Sequence, residues 1–462
     1  MAMVLMTTHG TIVCAGENGL VHVPFDQLND GSNPLVFDLQ AITRDGRHER
    51  MLTGQNTPVL LGHAPGLPAG CEALLGADRR TMVFRQDGKF YSCEPLNRSL
   101  ARDRDQAGLW EQFLFVTEED FAAIQHIYAH RWVQASAPLA VIERGAIGMR
   151  EGFILALGDL AIDLRYNLPL LVHEPGGEPG PAHALALTVL VDGWKIDRIH
   201  LYRPMIYFTT FGTAYALDQA HTAIDSLLEF GKYDGHFHVI TDHDAASFCA
   251  RHPDLPPDRV SVQHLASSDW VGYVAAKYAI LDHPAAFGFQ PLLFLDTDIV
   301  CDAPIQPMLA TILALDRVSA PLEEMTSLQT SPSAGASLIQ RAGLDARLAG
   351  GLNGGTIGIP NLSRFAPELE LIRTIITNHA DINGRDHFRW VDQEVLNYVS
   401  FCTAHFDTSA LLRFVRYGWK GNEFDPTRRL GLVHFWPPVK DRPKLDRMLD
   451  YVATLRAASA KF

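Results

Sequence analysis

One short segment constrains the fold of this chain more than any other: an apolar run from Pro291 to Leu295 that ends at Asp296 and Asp298. A continuous apolar run of this length is typical of a strand buried on both faces of a sheet. Residues i and i+2 of a strand point to the same side, so the two carboxylates lie together where the strand ends. Open α/β sheets bind ligands beyond the carboxyl ends of their strands. The segment therefore predicts an α/β sheet with an acidic ligand site at its edge.

The two aspartates are candidate metal ligands. Neighbouring carboxylates repel each other unless a proton or a cation relieves the repulsion. A hard divalent cation such as Mn²⁺ or Mg²⁺ prefers oxygen ligands and can in turn bind a diphosphate. Taken alone, the Asp-x-Asp motif leaves open the alternative of an acidic surface turn.

Composition excludes several classes of protein. The 462 residues are 47% hydrophobic and 20% charged, which is ordinary for a globular protein of two or three domains. The net charge of -14 argues against a general nucleic-acid-binding role, which needs a basic surface. The six cysteines are scattered, as free thiols of a reducing compartment would be. The sequence has neither a signal-peptide pattern nor an uncharged apolar run of about 18 residues, so we expect a cytoplasmic protein without a transmembrane segment.

Two parts of the chain differ in pattern, which predicts one domain over 1–195 and another over 200–462. In the first part, short alternating apolar runs are separated by Gly, Asn and Asp, which is typical of an all-β domain. The run Leu109–Val116 contains Trp-Glu-Gln-Phe, which resembles the closing strand of the repeat in fascin-like β-trefoils. A capping signal at Thr117 predicts a helix that interrupts this pattern. An irregular β-sandwich is the alternative, and the domain would either bind carbohydrate or cap its neighbour.

The second part alternates strands and helices. Met205–Thr210 reads as a strand, 216–230 as an amphipathic helix and 237–240 as the next strand. A helix-like segment over 270–281 then leads into the Asp-x-Asp strand. This alternation predicts a parallel sheet with helices on both faces.

Three further motifs follow the Asp-x-Asp strand. They are Asn353-Gly-Gly, Asp392-Gln393-Glu394 with Asn397 three residues later, and His434 followed after six residues by Lys440. In this order the motifs resemble those of the family 8 glycosyltransferases, the retaining GT-A group that includes glycogenin and lipopolysaccharide galactosyltransferases. The resemblance covers roughly 200–440. It implies a GT-A nucleotide-sugar-binding domain that transfers a hexose from a UDP-sugar to a hydroxyl acceptor, with retention of configuration.

The resemblance also implies a metal and diphosphate site. Asp296, Asp298 and His434 would hold Mn²⁺ (or Mg²⁺), and imidazole suits this ion alongside carboxylates. Lys277 and Lys440 would stabilise the diphosphate, since a cation beside the leaving group neutralises the charge that develops on it.

The remaining implied residues bind the base and the sugar of the donor. Thr209, Thr210 and Tyr215 follow the first strand of the second domain, where the family seats uridine. Asn353, Asp392 and Gln393 would lie beside the donor sugar. Because Gln393 is a neutral amide, it cannot be a strong nucleophile. That favours front-face substitution over a covalent double displacement.

The sequence departs from the family pattern after His434. Pro437 stands where the family has Gly, and Pro has no N–H to donate to a phosphate. Asp-Arg442-Pro replaces Pro-Trp, which makes Arg442 a second candidate for the charge role. Two alternatives therefore stay open: a sugar or nucleotide-sugar binding protein without turnover, and a nucleotidyltransferase. The second would carry a Gly-rich basic loop near its first strand, and none follows Met205–Thr210. The acceptor stays open among carbohydrate, lipid and protein.

Overall fold

The computed structural model describes most of residues 2–459. The larger gaps in that description are 29–33, 39–58, 61–71, 76–80, 174–182, 384–391 and 418–424, and shorter gaps of one to three residues lie between them. The chain divides into two compact units. The first comprises Met1–Pro175 with His183–Leu201, and the second extends over Tyr202–Phe462.

The first unit is built mainly from strands. They are β1 Ala2–Thr7, β2 Thr11–Gly16, β3 Gly19–Pro24, β4 Val36–Asp38, β5 Val59–Leu60, β6 Glu72–Leu75, β7 Thr81–Gln86, β8 Lys89–Ser92, β9 Ala101–Arg104, β10 Gln112–Thr117, β11 Trp132–Ser136, β12 Leu139–Glu143, β13 Ile147–Arg150, β14 Ile154–Leu157, β15 Leu160–Asp163, β16 Leu171–His173, β17 His183–Val191 and β18 Trp194–Tyr202. Helices α1 Glu118–Ala129 and α2 Leu164–Asn167 accompany them.

These strands form three antiparallel sheets. The largest has the order β3-β2-β1-β10-β7-β6-β5, the second β12-β11-β18-β17-β16 and the third β13-β14-β15. The helix expected after Thr117 is α1: the Thr117 hydroxyl accepts from the Asp120 N–H at 3.0 Å and donates to the Asp120 carboxylate at 2.8 Å. This reciprocal cap satisfies a backbone donor that the first helical turn would otherwise leave unpaired. The sheet orders do not show the predicted β-trefoil, and α1 and α2 mean that the described part of this unit is not purely β.

The second unit mixes strands and helices. Its strands are β19 Met205–Thr210, β20 His236–Thr241, β21 Val260–His264, β22 Leu292–Leu295, β23 Ile299–Cys301, β24 Val318–Ser319, β25 Leu322–Ser327, β26 Gly350–Leu352, β27 Thr356–Ile359, β28 Phe406–Asp407, β29 Val415–Tyr417 and β30 Leu432–His434. Its α-helices are α3 Ala214–Glu229, α4 Ala245–Cys249, α5 Trp270–Ala275, α6 Gln306–Leu313, α7 Ala336–Arg341, α8 Leu362–Asn383, α9 Asp392–Thr403 and α10 Lys444–Ser459.

A seven-stranded sheet of order β21-β20-β19-β22-β27-β24-β28 forms the centre of this unit. The strands from β21 to β22 are parallel to their neighbours, as the alternating pattern predicts. Strand β27 then runs antiparallel to both β22 and β24, so the sheet is mixed. The α/β class predicted for this part of the chain therefore agrees with the structure, while the purely parallel sheet does not.

Strand β22 lies in the middle of the core. Its four residues, Leu292 to Leu295, are fully buried, and burying a side chain of this size contributes about 1.5–3 kcal/mol relative to leaving it exposed. Polar residues cannot continue such a strand through the core, so the apolar run ends at the sheet edge with Asp296. The buried run thus fixes the position of the acidic motif.

Two further findings concern the chain as a whole. The cysteines within the described residues are unpaired, as their scattered spacing predicts: Cys14, Cys93, Cys249, Cys301 and Cys402. Among the helices of the described ranges, none combines the length and the hydropathy needed to cross a bilayer.

Candidate metal centre and ligand cavity

Strand pairing brings together the three predicted metal ligands. Ile299 of β23 pairs with His434 of β30, and the Phe435 N–H donates to the Asp298 carbonyl at 2.9 Å. His434 therefore lies beside Asp298, although 136 positions separate them in the numbering (434 − 298). Asp296 lies at the end of β22, where its N–H donates to the Gly355 carbonyl at 2.8 Å. One ligand atom from each of Asp296, Asp298 and His434 lies within 4.8 Å of the others.

The His434 side chain is buried and lies close to both aspartates. Its side chain is 2% exposed, and its Nε2 lies 3.1 Å from Asp298 Oδ1 and 3.9 Å from Asp296 Oδ2. Among the described residues, neither ring nitrogen makes a well-oriented hydrogen bond. A buried polar atom without a hydrogen bond is costly. Two carboxylates and an imidazole are also the donor set that Mn²⁺ accepts, so the residues present fit a divalent cation.

The two aspartates differ in their electrostatics. Burial raises the pKa of Asp296, and the neighbouring negative charge of Asp298 adds to the rise despite Lys277 and His434. Burial also opposes ionisation of Asp298, but His434 and Lys444 outweigh it and hold its pKa well below the usual range. Asp298 is therefore the firmly ionised member of the pair.

Lys277 connects Asp296 of the Asp-Asp-His group to Asp392 in another part of the cavity wall. It is 4% exposed, and its Nζ lies 2.7 Å from Asp392 Oδ2, 3.8 Å from Asp296 Oδ1 and 2.9 Å from the Gly354 carbonyl. Burial lowers its pKa, but Asp392 and Asp296 more than offset this and the net shift is upward. The ammonium is thus permanently charged and fixes the positions of two carboxylates, rather than lying exposed on a helix surface.

Gln393 is held by hydrogen bonds on both sides of its amide. Its Oε1 accepts from the Gly354 N–H at 3.1 Å, and its Nε2 donates to Glu323 Oε2 at 2.9 Å and to the Ser333 carbonyl at 3.3 Å. Burial raises the pKa of Glu323, while the hydrogen bond from Gln393 works against the rise. The amide oxygen of Gln393 is therefore already engaged, and Glu323 brings a carboxyl group into the same cavity.

The glycines after Asn353 allow a close approach of backbone and side chains. Asn353 is 4% exposed, and its Oδ1 accepts from the Gly355 N–H at 2.9 Å. A Cβ at position 355 would lie 2.5 Å from His434 Cε1 and 2.6 Å from Asp296 Oδ2. Only glycine leaves room there for the side chains of His434 and Asp296.

The opposite part of the cavity lining is aromatic and polar. Phe211 and Tyr273 stack with ring centroids 5.0 Å apart at an interplanar angle of 14°. Thr209 and Thr210 end β19 and line the cavity, and the buried Thr210 hydroxyl makes no hydrogen bond within the described ranges. Flat aromatic surface beside free hydroxyl groups suits a nucleobase or a sugar ring.

Most of the predicted site residues line one cavity of about 350 Å³, in the lower part of the range of about 300–1,000 Å³ typical of small-molecule sites. The predicted residues in its wall are Thr209, Thr210, Lys277, Asp296, Asp298, Asn353, Asp392, Gln393 and His434. Tyr215 does not line it: the Tyr215 hydroxyl accepts from the Leu445 N–H at 2.9 Å, at the start of α10. Lys440 and Pro437 lie outside the described residues. Arg442 pairs with Asp450 at 2.5 Å.

The cavity wall also holds residues that the sequence did not single out. Lys444, Glu323 and Gln219 are the polar ones with long side chains, and the aromatic ones are Phe211, Trp270, Tyr273 and Trp436. No spacing rule pointed to Lys444 or Glu323. Pro443, directly before the helix that begins at Lys444, is a sequence signal for a helix start but not for a cavity residue.

The charge of this lining is negative overall. Asp296, Asp298, Asp392 and Glu323 carry four negative charges when ionised, and Lys277 and Lys444 carry two positive ones, which leaves 4 − 2 = 2 negative charges with His434 neutral. A divalent cation would neutralise this excess. An anionic ligand would otherwise be repelled from the cavity.

Comparison with known proteins adds distant likenesses. No protein-family model matches this sequence, and no curated protein matches it. Among solved structures, the chain is similar to the galactosyltransferase LgtC in complex with donor and acceptor sugar analogues, at 15% identity over 54% of this chain and 96% of that chain, with a TM-score of 0.41.

Two more solved structures are similar to this chain, again at low sequence identity. They are the bifunctional glycosyltransferase WbbM (13% identity, 58% of this chain, 51% of that chain, TM-score 0.39) and the glycosyltransferase GlyE of Streptococcus pneumoniae TIGR4 (14% identity, 56% and 64%, TM-score 0.37). TM-scores this low carry no conclusion about this chain, so its function has to be inferred from the geometry of its own cavity.

Proposed function

We propose that this chain is a metal-dependent retaining glycosyltransferase that moves a hexose from a UDP-sugar to a hydroxyl acceptor. The observation that carries the proposal is one cavity that combines an Asp-Asp-His centre with the Asn353, Asp392 and Gln393 group. The first set suits a metal-bound diphosphate, and the second offers hydrogen-bonding partners to sugar hydroxyls. The order of the four sequence motifs, which resembles family 8, supports the same conclusion independently.

Asp296, Asp298 and His434 would hold Mn²⁺ or Mg²⁺. The ion would supply Lewis-acid neutralisation of the diphosphate leaving group. This charge is needed because a cavity with an excess of two negative charges, counted above, repels a diphosphate. His434 and Asp298 are nearly fully buried, so they are held by packing and need little reorganisation to bind.

Two lysines would supply the remaining positive charge of the site in this proposal. Lys277 fixes Asp392 and Asp296 through its ion pairs of 2.7 and 3.8 Å, so it positions the sugar-binding carboxylate and supports the diphosphate from below. Lys440 would complete the charge around the diphosphate, as the family resemblance implies.

Retention of configuration is proposed from the resemblance to family 8, and the groups beside the sugar are consistent with it. Gln393 is a neutral amide whose oxygen already accepts from the Gly354 N–H at 3.1 Å, which makes it unsuited to attack an anomeric carbon. Front-face substitution, in which the leaving phosphate takes the proton of the incoming hydroxyl, needs no protein nucleophile. Asp392 and Asn353 would orient the sugar hydroxyls, while Glu323 holds Gln393 by a 2.9 Å hydrogen bond.

The base of the donor would lie at the end of β19. Thr209 and Thr210 supply hydroxyls, and the Phe211–Tyr273 stack supplies an apolar surface. Tyr215 lies outside the cavity lining and its hydroxyl accepts from the Leu445 N–H at 2.9 Å, so we assign it no contact with the base.

A second candidate is a nucleotide-sugar binding protein without turnover. Pro437 favours it, because Pro offers no N–H to a phosphate where the family has a close-approaching Gly. Such a protein would bind UDP and UDP-sugars without breaking the glycosidic phosphate bond, and without needing an acceptor.

The test is release of UDP from a panel of UDP-hexoses, with Mn²⁺ and with EDTA. Water serves as the acceptor, so no acceptor needs to be known. We expect release from one donor with Mn²⁺, loss of release in EDTA, and a loss of at least about 100-fold in Asp298→Asn. Asp316→Asn is the matched control, since Asp316 is 76% exposed and outside the cavity lining.

The outcomes separate the two candidates. UDP binding by calorimetry without release from any donor would favour the binding protein. Absence of UDP binding would contradict both, and equal release in Mn²⁺ and EDTA would contradict the metal centre.

A further inference from the structure

Lys444 contacts an oxygen atom of Asp298 that a divalent ion bound at the candidate metal centre would also contact. Its Nζ lies 2.6 Å from Asp298 Oδ2, while His434 Nε2 lies 3.1 Å from the other oxygen, Asp298 Oδ1. Both oxygens of the Asp298 carboxylate therefore face a nitrogen of the protein. An ammonium group and a divalent ion cannot share Oδ2 without strong repulsion.

The position of Lys444 indicates that this contact has a role beyond stability. Lys444 is the first residue of the sixteen-residue helix α10, where the helix dipole disfavours a positive charge. Its side chain is 36% exposed and lines the cavity. By contrast, Lys277 is 5% exposed at its side chain and tied to three acceptors. Of the two lysines, Lys444 is the one whose stem has room to turn.

We propose that Lys444 and a divalent ion exchange places on Asp298. The ammonium competes with the ion for the carboxylate, and binding of the ion releases the ammonium to the phosphates of the donor. This inference rests on the proposed function for the ion and the diphosphate. It adds a residue outside the four sequence motifs, and it makes diphosphate binding depend on the ion through a side chain as well as through direct contact.

The inference predicts two effects of opposite sign in Lys444→Met, which keeps the length of the stem and removes the charge. Without nucleotide, Mn²⁺ should bind between about threefold and tenfold tighter than to wild type, because its competitor is gone. With Mn²⁺ saturating, UDP should bind about tenfold weaker, because a phosphate partner is gone. Lys444→Arg, which keeps the charge, should lie closer to wild type in both titrations.

Calorimetric titration of Mn²⁺ alone, followed by UDP in saturating Mn²⁺, measures both effects on the intact chain. Lys89→Met is the matched control: Lys89 also pairs with a carboxylate at 2.6 Å, that of Asp105, but on an exposed surface of the first unit. It should change neither affinity. A variant that is merely damaged would bind both ligands more weakly, and its thermal unfolding would show the loss of stability.

Each possible result of the Mn²⁺ and UDP titrations either supports or overturns the exchange on Asp298. Unchanged or weaker Mn²⁺ binding in Lys444→Met, with Mn²⁺-dependent donor release intact in wild type, overturns this inference and leaves the proposed function standing. Tighter Mn²⁺ binding with unchanged UDP affinity overturns the exchange, since the released lysine then has no phosphate role. If wild type binds no Mn²⁺ at all, the metal centre and this inference fail together.

Discussion

Gly355→Ala offers the sharpest test of the metal centre, because it adds a single methyl group between two of the three candidate ligands. The new Cβ would lie 2.5 Å from His434 Cε1, 2.6 Å from Asp296 Oδ2 and 3.0 Å from Asn353 Oδ1. Gly355 does not have a left-handed backbone conformation, so alanine meets no conformational penalty of its own. Any effect must therefore come from the displaced neighbours.

The size of the effect follows from these distances. Non-bonded carbon atoms prefer a separation of roughly 3.5–4.0 Å, so His434 Cε1 has to retreat by about 1 Å. Metal sites tolerate deviations of only about 0.2 Å in ligand distances. We expect Mn²⁺ affinity to fall by about 10- to 100-fold or more, with a stability loss of about 1–3 kcal/mol from overpacking.

Two other glycines make the assay specific. Gly354→Ala would bring a Cβ to 3.1 Å from Asp392 Oδ2 and 3.6 Å from Gln393 Cβ, so it should disturb the sugar side and leave Mn²⁺ binding nearly unchanged. Gly288→Ala meets no atom within 4 Å and should be silent. Calorimetry with Mn²⁺ and thermal unfolding measure all three. Wild-type Mn²⁺ affinity in a folded Gly355→Ala variant would refute our assignment of His434 and Asp296 as ligands.

Two further substitutions test the sugar side of the cavity. Glu323→Gln still accepts the hydrogen bond from Gln393, so we expect kcat for donor hydrolysis to fall by less than about tenfold; a total loss at constant KM would instead give the Glu323 charge a direct role in the chemistry. Lys277→Met removes the cation that lies 2.7 Å from the buried Asp392 carboxylate, so we expect about 3–5 kcal/mol of destabilisation. Denaturant unfolding measures this loss, and an unfolding midpoint equal to wild type would contradict the pairing.

The placement of Asp296, Asp298 and His434 at strand ends was predictable from the sequence because it follows from local rules. The apolar run of β22 had to end at a sheet edge, which placed Asp296 and Asp298, and a strand-like run ahead of His434 placed the imidazole at another strand end. The close approach of His434 to the two aspartates depends on the pairing of β23 with β30. No spacing in one sequence encodes that pairing, and only the resemblance to a family suggested it.

Other features were beyond sequence reasoning for physical reasons. Lys277 looks like a helix-surface residue, but the short helix that begins at Ala276 turns it into the core beside Phe294, 4.4 Å from the ring centroid. Lys444 and Glu323 reach the cavity through tertiary packing that no motif describes. The antiparallel β27 follows from a chain reversal between distant strands, and the hairpin pattern of the first unit is shared by trefoils and by the sheets observed there.

Three histidines near the edge strand β21, His236, His238 and His283, predict that the second unit loses stability in acid. His238 is fully buried, its ring stacks on His283 at 4.3 Å, and its nitrogens contact Ser261 Oγ at 2.7 Å and Gln263 Oε1 at 3.2 Å. Burial, with the neighbouring His283, lowers the pKa of His238 to about 3. Burial likewise lowers the pKa of His236 to about 4, although its hydrogen bond to the Asp258 carbonyl opposes the shift.

A depressed histidine pKa means that the unfolded chain takes up a proton before the folded chain does. The stabilisation is therefore complete above pH 6.5 and is lost as the pH falls towards the folded value. Between pH 7 and pH 5, the titration of His238 alone should lower the free energy of unfolding by about 2 kcal/mol. Hydrogen exchange of the β20 amides at both pH values measures this, because it reports local opening without assuming that two units unfold as one. His238→Gln, which cannot titrate, should reduce the pH-dependent loss by that amount. An equal loss of stability between pH 7 and pH 5 in the variant would show that carboxyl groups elsewhere, and not His238, cause the loss.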